Sequence, residues 1–353
     1  MAGLGFSVEG DVVRYAEVLQ GDGRVRIGRW GMRWFGGPEE DPDTEAVTAG
    51  VPDEPGGTPE PPSGWGPLMQ PWTLGVLRKF KRAPVFASLS DRDVLTKFIT
   101  LPELTAQEVA RMVELRRGEY LPMPNADIVY DFSIVRFAMA APADEEGEDV
   151  RKMFSGPAQE SELRVAVAGV ERGIYLAYRE AIAQEGVILR SLETNQAAIS
   201  RGTNFILGPE HHLTYAVLYL GDTYSIVNFV VEGGLYYSRV LEQGLQDLTH
   251  DEAGRRRADR LLREIFRSVD FFSVESRGVS VDTLYLANGG TQPDPGVSKR
   301  IQYFLAERLS TEVVTLQEVA EEREGFTPPS GLLAGSLLLP LGLGLRSVSE
   351  VGV

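Results

Sequence analysis

Three segments at wide intervals constrain what this chain can fold into: Gly3-Leu-Gly-Phe-Ser7, Ala216-Val-Leu-Tyr-Leu-Gly-Asp-Thr223 and Thr283-Leu-Tyr-Leu-Ala-Asn-Gly-Gly290. Each runs from an apolar or β-prone stretch into a turn of small residues. Together they outline a two-lobed nucleotide-binding fold, in which two hairpin turns grip phosphates and a third holds an adenosine. The first two turns would each need an aspartate to hold a hydrated metal ion. Gly5 and Tyr219 stand in those places.

The chain has 353 residues, enough for two or three domains, and is 43% hydrophobic and 24% charged, as folded proteins are. It has no cysteine, which excludes disulfides and thiolate metal sites. With three histidines, a histidine metal centre is not expected. The net charge of -16 argues against a nucleic-acid partner, which needs clustered Lys and Arg, and favours a basic one. No signal peptide is visible at the start. The apolar run from Gly331 to Leu345 is too short for a membrane span and contains Pro340. It reads as a buried terminal helix, and the chain as cytoplasmic.

The element order carries the fold. Residues 3–8, 11–19 and 24–35 read as strands, with a hairpin turn at Gly21-Asp22-Gly23. Residues 36–66 are rich in Pro, Gly and acids and have no Lys or Arg, so they read as a flexible acidic loop. A helix at 72–80 and strands at 84–89 and 93–101 follow. Thr105-Ala-Gln-Glu108 has the spacing of a capping box and opens a helix to about Tyr120. Strand 127–138, an acidic loop at 144–149, strand 163–168, helix 171–185, strand 187–192 and helix 196–206 complete the first half. The second half repeats the pattern: strands 214–220, 225–231 and 234–241 with a turn at Gly233-Gly234, helix 250–276, strand 281–287, helix 296–309 and strand 312–315. A three-stranded meander followed by alternating helix and strand, present twice, is the actin-like or ribonuclease H-like half.

Several segments in order resemble the PilM family, FtsA-like actin-fold proteins of type IV pilus assembly. They are Phe86 to Pro102, Glu119-Tyr-Leu-Pro-Met-Pro124, Tyr130-Asp-Phe-Ser-Ile-Val135, Val187 to Asn195, Glu264 to Phe272, and Leu339-Pro-Leu-Gly-Leu-Gly-Leu-Arg346. The resemblance covers most of the chain outside 36–66. It implies an α/β two-lobed actin-like fold: a first lobe at 1–210 with an FtsA-type extra subdomain at about 93–160, and a second lobe at 211–353. It implies a scaffold at the cytoplasmic side of an inner-membrane platform, held there by partners. The partner implied is the cytoplasmic N-terminal peptide of a PilN-type membrane protein, and homo-oligomers or rings are implied as well.

For the site, the resemblance points to Gly5, Ser7 and Gly10 in the first turn, Gly221 and Thr223 in the second, and Gly244, Gly289 and Gly290 around the adenosine. ATP with magnesium is the cofactor of that pattern. Magnesium takes oxygen ligands in a strict octahedron, and neither glycine nor tyrosine supplies a carboxylate. The expectation is therefore a degenerate nucleotide site, with no catalytic and no metal-ligating residue assigned. The rival reading is a working ATPase with carboxylates from Asp11, Asp222 or Asp247. A third is a cytoplasmic domain of a type II secretion platform. Gly289-Gly290 reads equally well as a tight strand-to-helix connection, and Gly244 and Gln246 as an ordinary loop. Arg255-Arg-Arg257, Arg116-Arg117 and His211-His212 read as solvated helix turns and a loop.

Overall fold

The computed structural model describes residues 2–21, 24–35, 68–81, 83–123, 127–136, 162–208, 214–249, 251–291, 295–323 and 334–349. The stretches read as loops at 36–66 and 144–149, the Asp22-Gly23 part of the first turn, and His211-His212 lie outside these residues.

Two five-stranded sheets of matching topology form the lobes. The first has the order β3-β2-β1-β4-β8, from Ala2–Glu9 (β1), Val12–Gly21 (β2), Arg24–Trp34 (β3), Pro84–Leu89 (β4) and Ile188–Thr194 (β8). The second has the order β11-β10-β9-β12-β13, from Tyr215–Leu220 (β9), Ser225–Val231 (β10), Gly234–Leu241 (β11), Thr283–Asn288 (β12) and Glu312–Thr315 (β13). In each, the first three strands are an antiparallel meander and the last two join in parallel. Parallel pairing needs crossover connections, and helix Arg172–Gln184 before β8 and helix Glu252–Glu275 before β12 lie on those crossovers. The duplicated pattern read from the sequence is the one present.

A third sheet, β5-β7-β6, is the extra subdomain: Val94–Pro102 (β5), Ile128–Arg136 (β6) and Glu162–Glu171 (β7). Its central strand lies at 162–171, past the expected boundary near 160. Helix Ala106–Leu115 covers it with Val109 and Val113, both fully buried. Its start is the capping box read from the sequence: the Glu108 amide donates to Thr105 Oγ1, and Glu108 accepts from the Thr105 amide at 2.8 Å. The helix stops at Leu115, and a separate turn, Arg117–Tyr120, follows.

Two local expectations change. The β10–β11 turn is Glu232-Gly233, both at positive φ (50° and 79°), and Gly234 already pairs with Val231 as the first residue of β11. A Cβ on Gly234 would lie 2.4 Å from Val135 Cγ1, so this glycine lets the extra subdomain approach the second lobe. A further helix, Leu316–Glu322, follows β13 directly, capped by a Thr315–Glu318 box. That spacing was present in the sequence.

The closing helix, Ala334–Gly344, is buried along its whole length. It packs on β1, β2, β12 and helix Asn195–Leu207, and one hydrophobic cluster joins its leucines to Val18 and Phe86 of the first lobe and Tyr219 and Tyr285 of the second. Although its sequence follows the second lobe, it is the shared core of both. No described helix is long and apolar enough to cross a membrane.

Arg164 on β7 braces the extra subdomain against the second lobe. It is buried, donates from Nε to the Tyr236 carbonyl (3.1 Å) and from Nη1 to Thr100 Oγ1 (2.7 Å) and Glu275 Oε2 (3.2 Å). Arg164→Met keeps the stem and removes these donors. It is expected to cost about 2 kcal/mol and to raise hydrogen exchange in β5 and β7 before the lobe sheets. Exchange that rises evenly over the molecule would contradict this.

Candidate functional site

Alternation along β1 puts Gly3, Gly5, Ser7 and Glu9 on one face, and their β2 partners Val18, Ala16, Arg14 and Val12 on the same face. The closing helix covers the first part of it. A Cβ on Gly5 would lie 1.7 Å from the Pro340 carbonyl oxygen and 2.6 Å from the Gly344 amide. Any side chain there would displace the helix. Gly5 is thus a packing position beneath the closing helix, well before the turn. The acid of β1 that reaches the cleft is Glu9, next to Gly10, whose φ of +55° makes the tight hairpin.

Arg14 is the hub of the cleft. It sits in an otherwise apolar run, Val12-Val13-Arg14-Tyr15-Ala16, and its side chain is 1% exposed. A charge so placed requires partners. Nη1 pairs with the Glu9 carboxylate, and Nη2 donates to Asp222 Oδ2 at 3.0 Å and to the Gly289 carbonyl at 2.5 Å. One guanidinium therefore joins all three turns: Glu9 beside the first, Asp222 in the second and Gly289 in the third.

Two phenols complete the shell of Glu9. Tyr219 donates to Oε2 and Tyr224 to Oε1, each at 2.9 Å. Burial pushes both phenols well above their ordinary range, so they stay protonated and serve as donors. Asn195 Nδ2 donates to Tyr224 Oη and to Asp91 Oδ2, both at 2.8 Å. Burial raises the Asp91 carboxyl to about 7, opposed by its hydrogen bonds to Asn195 and Tyr224 and reinforced by Glu9.

The sign of the Asp91 effect follows from linkage. The unfolded carboxyl ionises near pH 4, the folded one only near 7, so the fold favours the neutral form. That contribution is full below about pH 4 and is lost as pH rises to about 7. The residue as a whole keeps some exposure, which reduces the effect. Asp91→Asn should therefore match the parent near pH 4 and exceed it by about 1–3 kcal/mol at pH 8 in urea unfolding. Equal stability at pH 8 would remove Asp91 from this account.

The third turn is closed by protein as well. A Cβ on Gly289 would lie 2.3 Å from the Tyr219 ring, so the flat group this glycine admits is a side chain of the same molecule. Gly290 packs against Leu245 and donates its amide to Asn288 Oδ1 (3.1 Å). Thr291 donates both its amide and its Oγ1 to Asp222 Oδ1, at 3.0 Å each. Gly244 packs on the backbone of Asp222, Thr223 and Tyr224, and its amide donates to Asp247 Oδ2 (3.1 Å).

Of the residues read from the sequence, the fold gathers Gly10 and Thr223 face to face, and Gly221, Gly244, Gly289 and Gly290 around the Tyr219–Asp222 turn. Ser7 shares the face of Arg14, fully buried, its Oγ without a partner among the described residues. Gly5 lies apart. Of the alternative acids, Asp222 is in the cleft, Asp247 caps the Gly244 turn and pairs with Arg257, and Asp11 is exposed at the hairpin. Arg14, Tyr224, Asp91 and Asn195 escaped the sequence reading. A lone arginine among valines in a buried strand was the available signal.

A nucleotide–magnesium pair does not fit this donor set. The space between the Glu9 and Asp222 carboxylates is held by Arg14, and the Gly289 face by Tyr219. One cation meets two carboxylates, a balance that repels further anionic oxygens. Among the described residues no group of three or more His, Cys, Asp or Glu side chains could hold a metal ion.

No family model and no curated protein matches the sequence. Solved structures do. A PilM–PilN type IV pilus biogenesis complex matches with a TM-score of 0.65 at 19% identity, over 98% of this chain and 98% of that one. The cytoplasmic domain of EpsL, an inner-membrane component of the type II secretion system of Vibrio cholerae, matches with a TM-score of 0.45 at 12% identity, over 99% and 95%. A Bacteroides thetaiotaomicron protein with an actin-like ATPase fold matches with a TM-score of 0.42 at 9% identity, over 89% and 90%. The resemblance read from ordered sequence segments and the likeness of the whole structure thus agree: the chain has the two-lobed actin-like fold of the PilM–PilN complex.

Proposed function

We propose that this protein is an actin-like scaffold of an inner-membrane assembly platform, for type IV pili or a related secretion machine. Its task is to bind the cytoplasmic N-terminal peptide of a PilN-type membrane protein, and its nucleotide cleft is sealed by its own side chains. The observation that carries the second part is Arg14, which occupies the position between the two cleft carboxylates and draws the three turns together. The fold match to a PilM–PilN complex over nearly the full length supports the first part. The chain's net charge of -16 suits a peptide carrying basic residues. Assembly into dimers or rings, and a place at the membrane through the partner, belong to the same reading.

The glycines at 10, 221, 244, 289 and 290 and Thr223 keep the form of the ancestral cleft in this account, while Arg14 and Tyr219 supply the charge and the ring that a ligand would have brought. The opposing reading, a nucleotide switch, draws on one feature: Glu9 and Asp222 face each other across Arg14 and would be two carboxylates for a cation if that side chain swung out. The partner half of the proposal is tested by fluorescence anisotropy with a labelled peptide from the cytoplasmic N-terminus of a PilN-type membrane protein. Saturable micromolar binding, equal with and without ATP, is expected. Binding that requires ATP would favour the switch.

A further inference from the structure

One end of the first lobe gathers cations in a chain whose net charge is -16. Strands β1, β4 and β8 start at this end, β2 finishes there and β3 sets out from it: Ala2 pairs with Leu19, Leu19 with Arg26, and Pro84 with Ile188. A basic run in the sequence, Arg78-Lys-Phe-Lys-Arg82, falls where helix Pro71–Lys79 ends and the chain turns into β4. Lys81 reaches toward β8, since a Cβ on Gly186, just before that strand, would lie 3.9 Å from its Nζ. Arg24 and Arg26 stand at the opposite margin, on the first residues of β3. These two arginines, Lys79 and Lys81 are exposed and form no ion pair among the described residues. Arg29 and Arg78 lie between them and do pair, yet they are 57% and 59% exposed, while their partners Glu17 and Glu185 are 13% and 10% exposed. The surface of this end therefore shows cations, and its acids lie beneath.

The spread of the charge identifies the ligand. β3 and β8 are the margins of a five-stranded sheet, roughly 19 Å apart at about 4.8 Å per strand. A small anion or one extended segment reaches one margin and leaves the other empty. A flat anionic surface meets both. The acids of the cleft do not interfere: β1 runs from Ala2 at this end to Glu9 in the cleft, a length of roughly 23 Å. Charges beyond about 8 Å are screened at physiological salt, so the surface senses the local excess and not the net charge.

We infer that this end of the first lobe docks on an anionic lipid bilayer, with Arg24 and Arg26 at one margin and Lys79 and Lys81 at the other set against lipid phosphates. Each lysine or arginine near such a surface strengthens binding about fivefold, so four give half-saturation at about 1 mM lipid. Contact of that strength is weak alone and adds to any tether. It needs no protein partner, so the inference stands or falls separately from the peptide proposed above.

The test is co-sedimentation of the full chain with vesicles of phosphatidylglycerol and phosphatidylcholine in equal parts, at physiological salt. Half of the protein is expected to sediment at about 1 mM lipid, little with phosphatidylcholine alone, and about 0.5 M sodium chloride should release it. Lys79→Gln with Lys81→Gln, and separately Arg24→Gln with Arg26→Gln, should each weaken binding about twentyfold. All four positions are exposed, and circular dichroism checks that each variant is folded. Should a pair unfold the chain, the same charges are read from the parent's release by salt. Four results would overturn the inference. They are no sedimentation up to about 10 mM anionic lipid; equal binding to phosphatidylcholine; binding that survives the salt; and a loss caused by only one of the two pairs, which would mark a compact ligand at one margin. Tighter binding of a single-stranded oligonucleotide than of vesicles at equal phosphate would assign the patch to nucleic acid, and likewise overturn it.

Discussion

Arg14→Met is expected to lower the unfolding free energy by about 3–5 kcal/mol, among the largest effects of any single substitution. Methionine fills the volume of the stem and leaves Glu9 and Asp222, both nearly buried, without their cation. The Gly289 carbonyl loses its donor too. Breaking a buried ion pair from one side costs far more than the pair contributes, because the remaining charge cannot be solvated. The loss is read as a shift in the urea midpoint. A companion variant, Arg14→Met with Glu9→Gln and Asp222→Asn, removes the stranded charges and should recover most of it. If the single variant unfolds at the same urea concentration as the parent, Arg14 is not the keystone described above.

Gly5→Asp would put an acid at the first-turn position where the sequence pattern calls for an aspartate. It is expected to destabilise by at least about 4 kcal/mol, and to give no nucleotide binding. The reason is steric before it is electrostatic: the new Cβ would fall inside the Pro340 carbonyl oxygen. The closing helix would have to move, and that helix is the core shared by both lobes. Unfolding midpoint and soluble yield measure the first effect. A stable Gly5→Asp protein would mean that the helix is more loosely seated than its buried leucines require.

The two lobes were legible because their signals are local. Period-two runs and capping spacings act within a few residues, and the box read at Thr105–Glu108 is formed. The order of the elements then restricted the topology. The turn falls at Glu232-Gly233, one residue before the Gly233-Gly234 pair that the sequence suggests, because the missing side chain of Gly234 serves a contact with Val135 across 99 positions of sequence. Gly5 misled for the same reason. Its neighbour is Pro340, and nothing within the segment Gly3 to Ser7 announces a helix more than 300 residues away. A missing aspartate was read there as lost chemistry, and the packing supplies a second cause.

The cleft network was hidden because it is built from pairs far apart in the chain. Arg14 meets Asp222 and Gly289, and Tyr219 and Tyr224 meet Glu9. Tyr219 was visible as an absence of acid, while its positive roles, a donor to Glu9 and a cover for Gly289, depend on the closed arrangement of both lobes. What the sequence did offer was the incongruity of Arg14 in an apolar strand. A buried arginine implies carboxylates, and only the fold shows that they come from two different turns, Glu9 beside the first and Asp222 in the second.

Titration calorimetry of the full chain with ATP and magnesium tests the sealed cleft most directly. With Arg14 between Glu9 and Asp222, no binding heat is expected up to millimolar nucleotide, with or without magnesium. Micromolar, magnesium-dependent binding that Asp222→Asn abolishes would contradict it, because a cation would then be held where Arg14 is described.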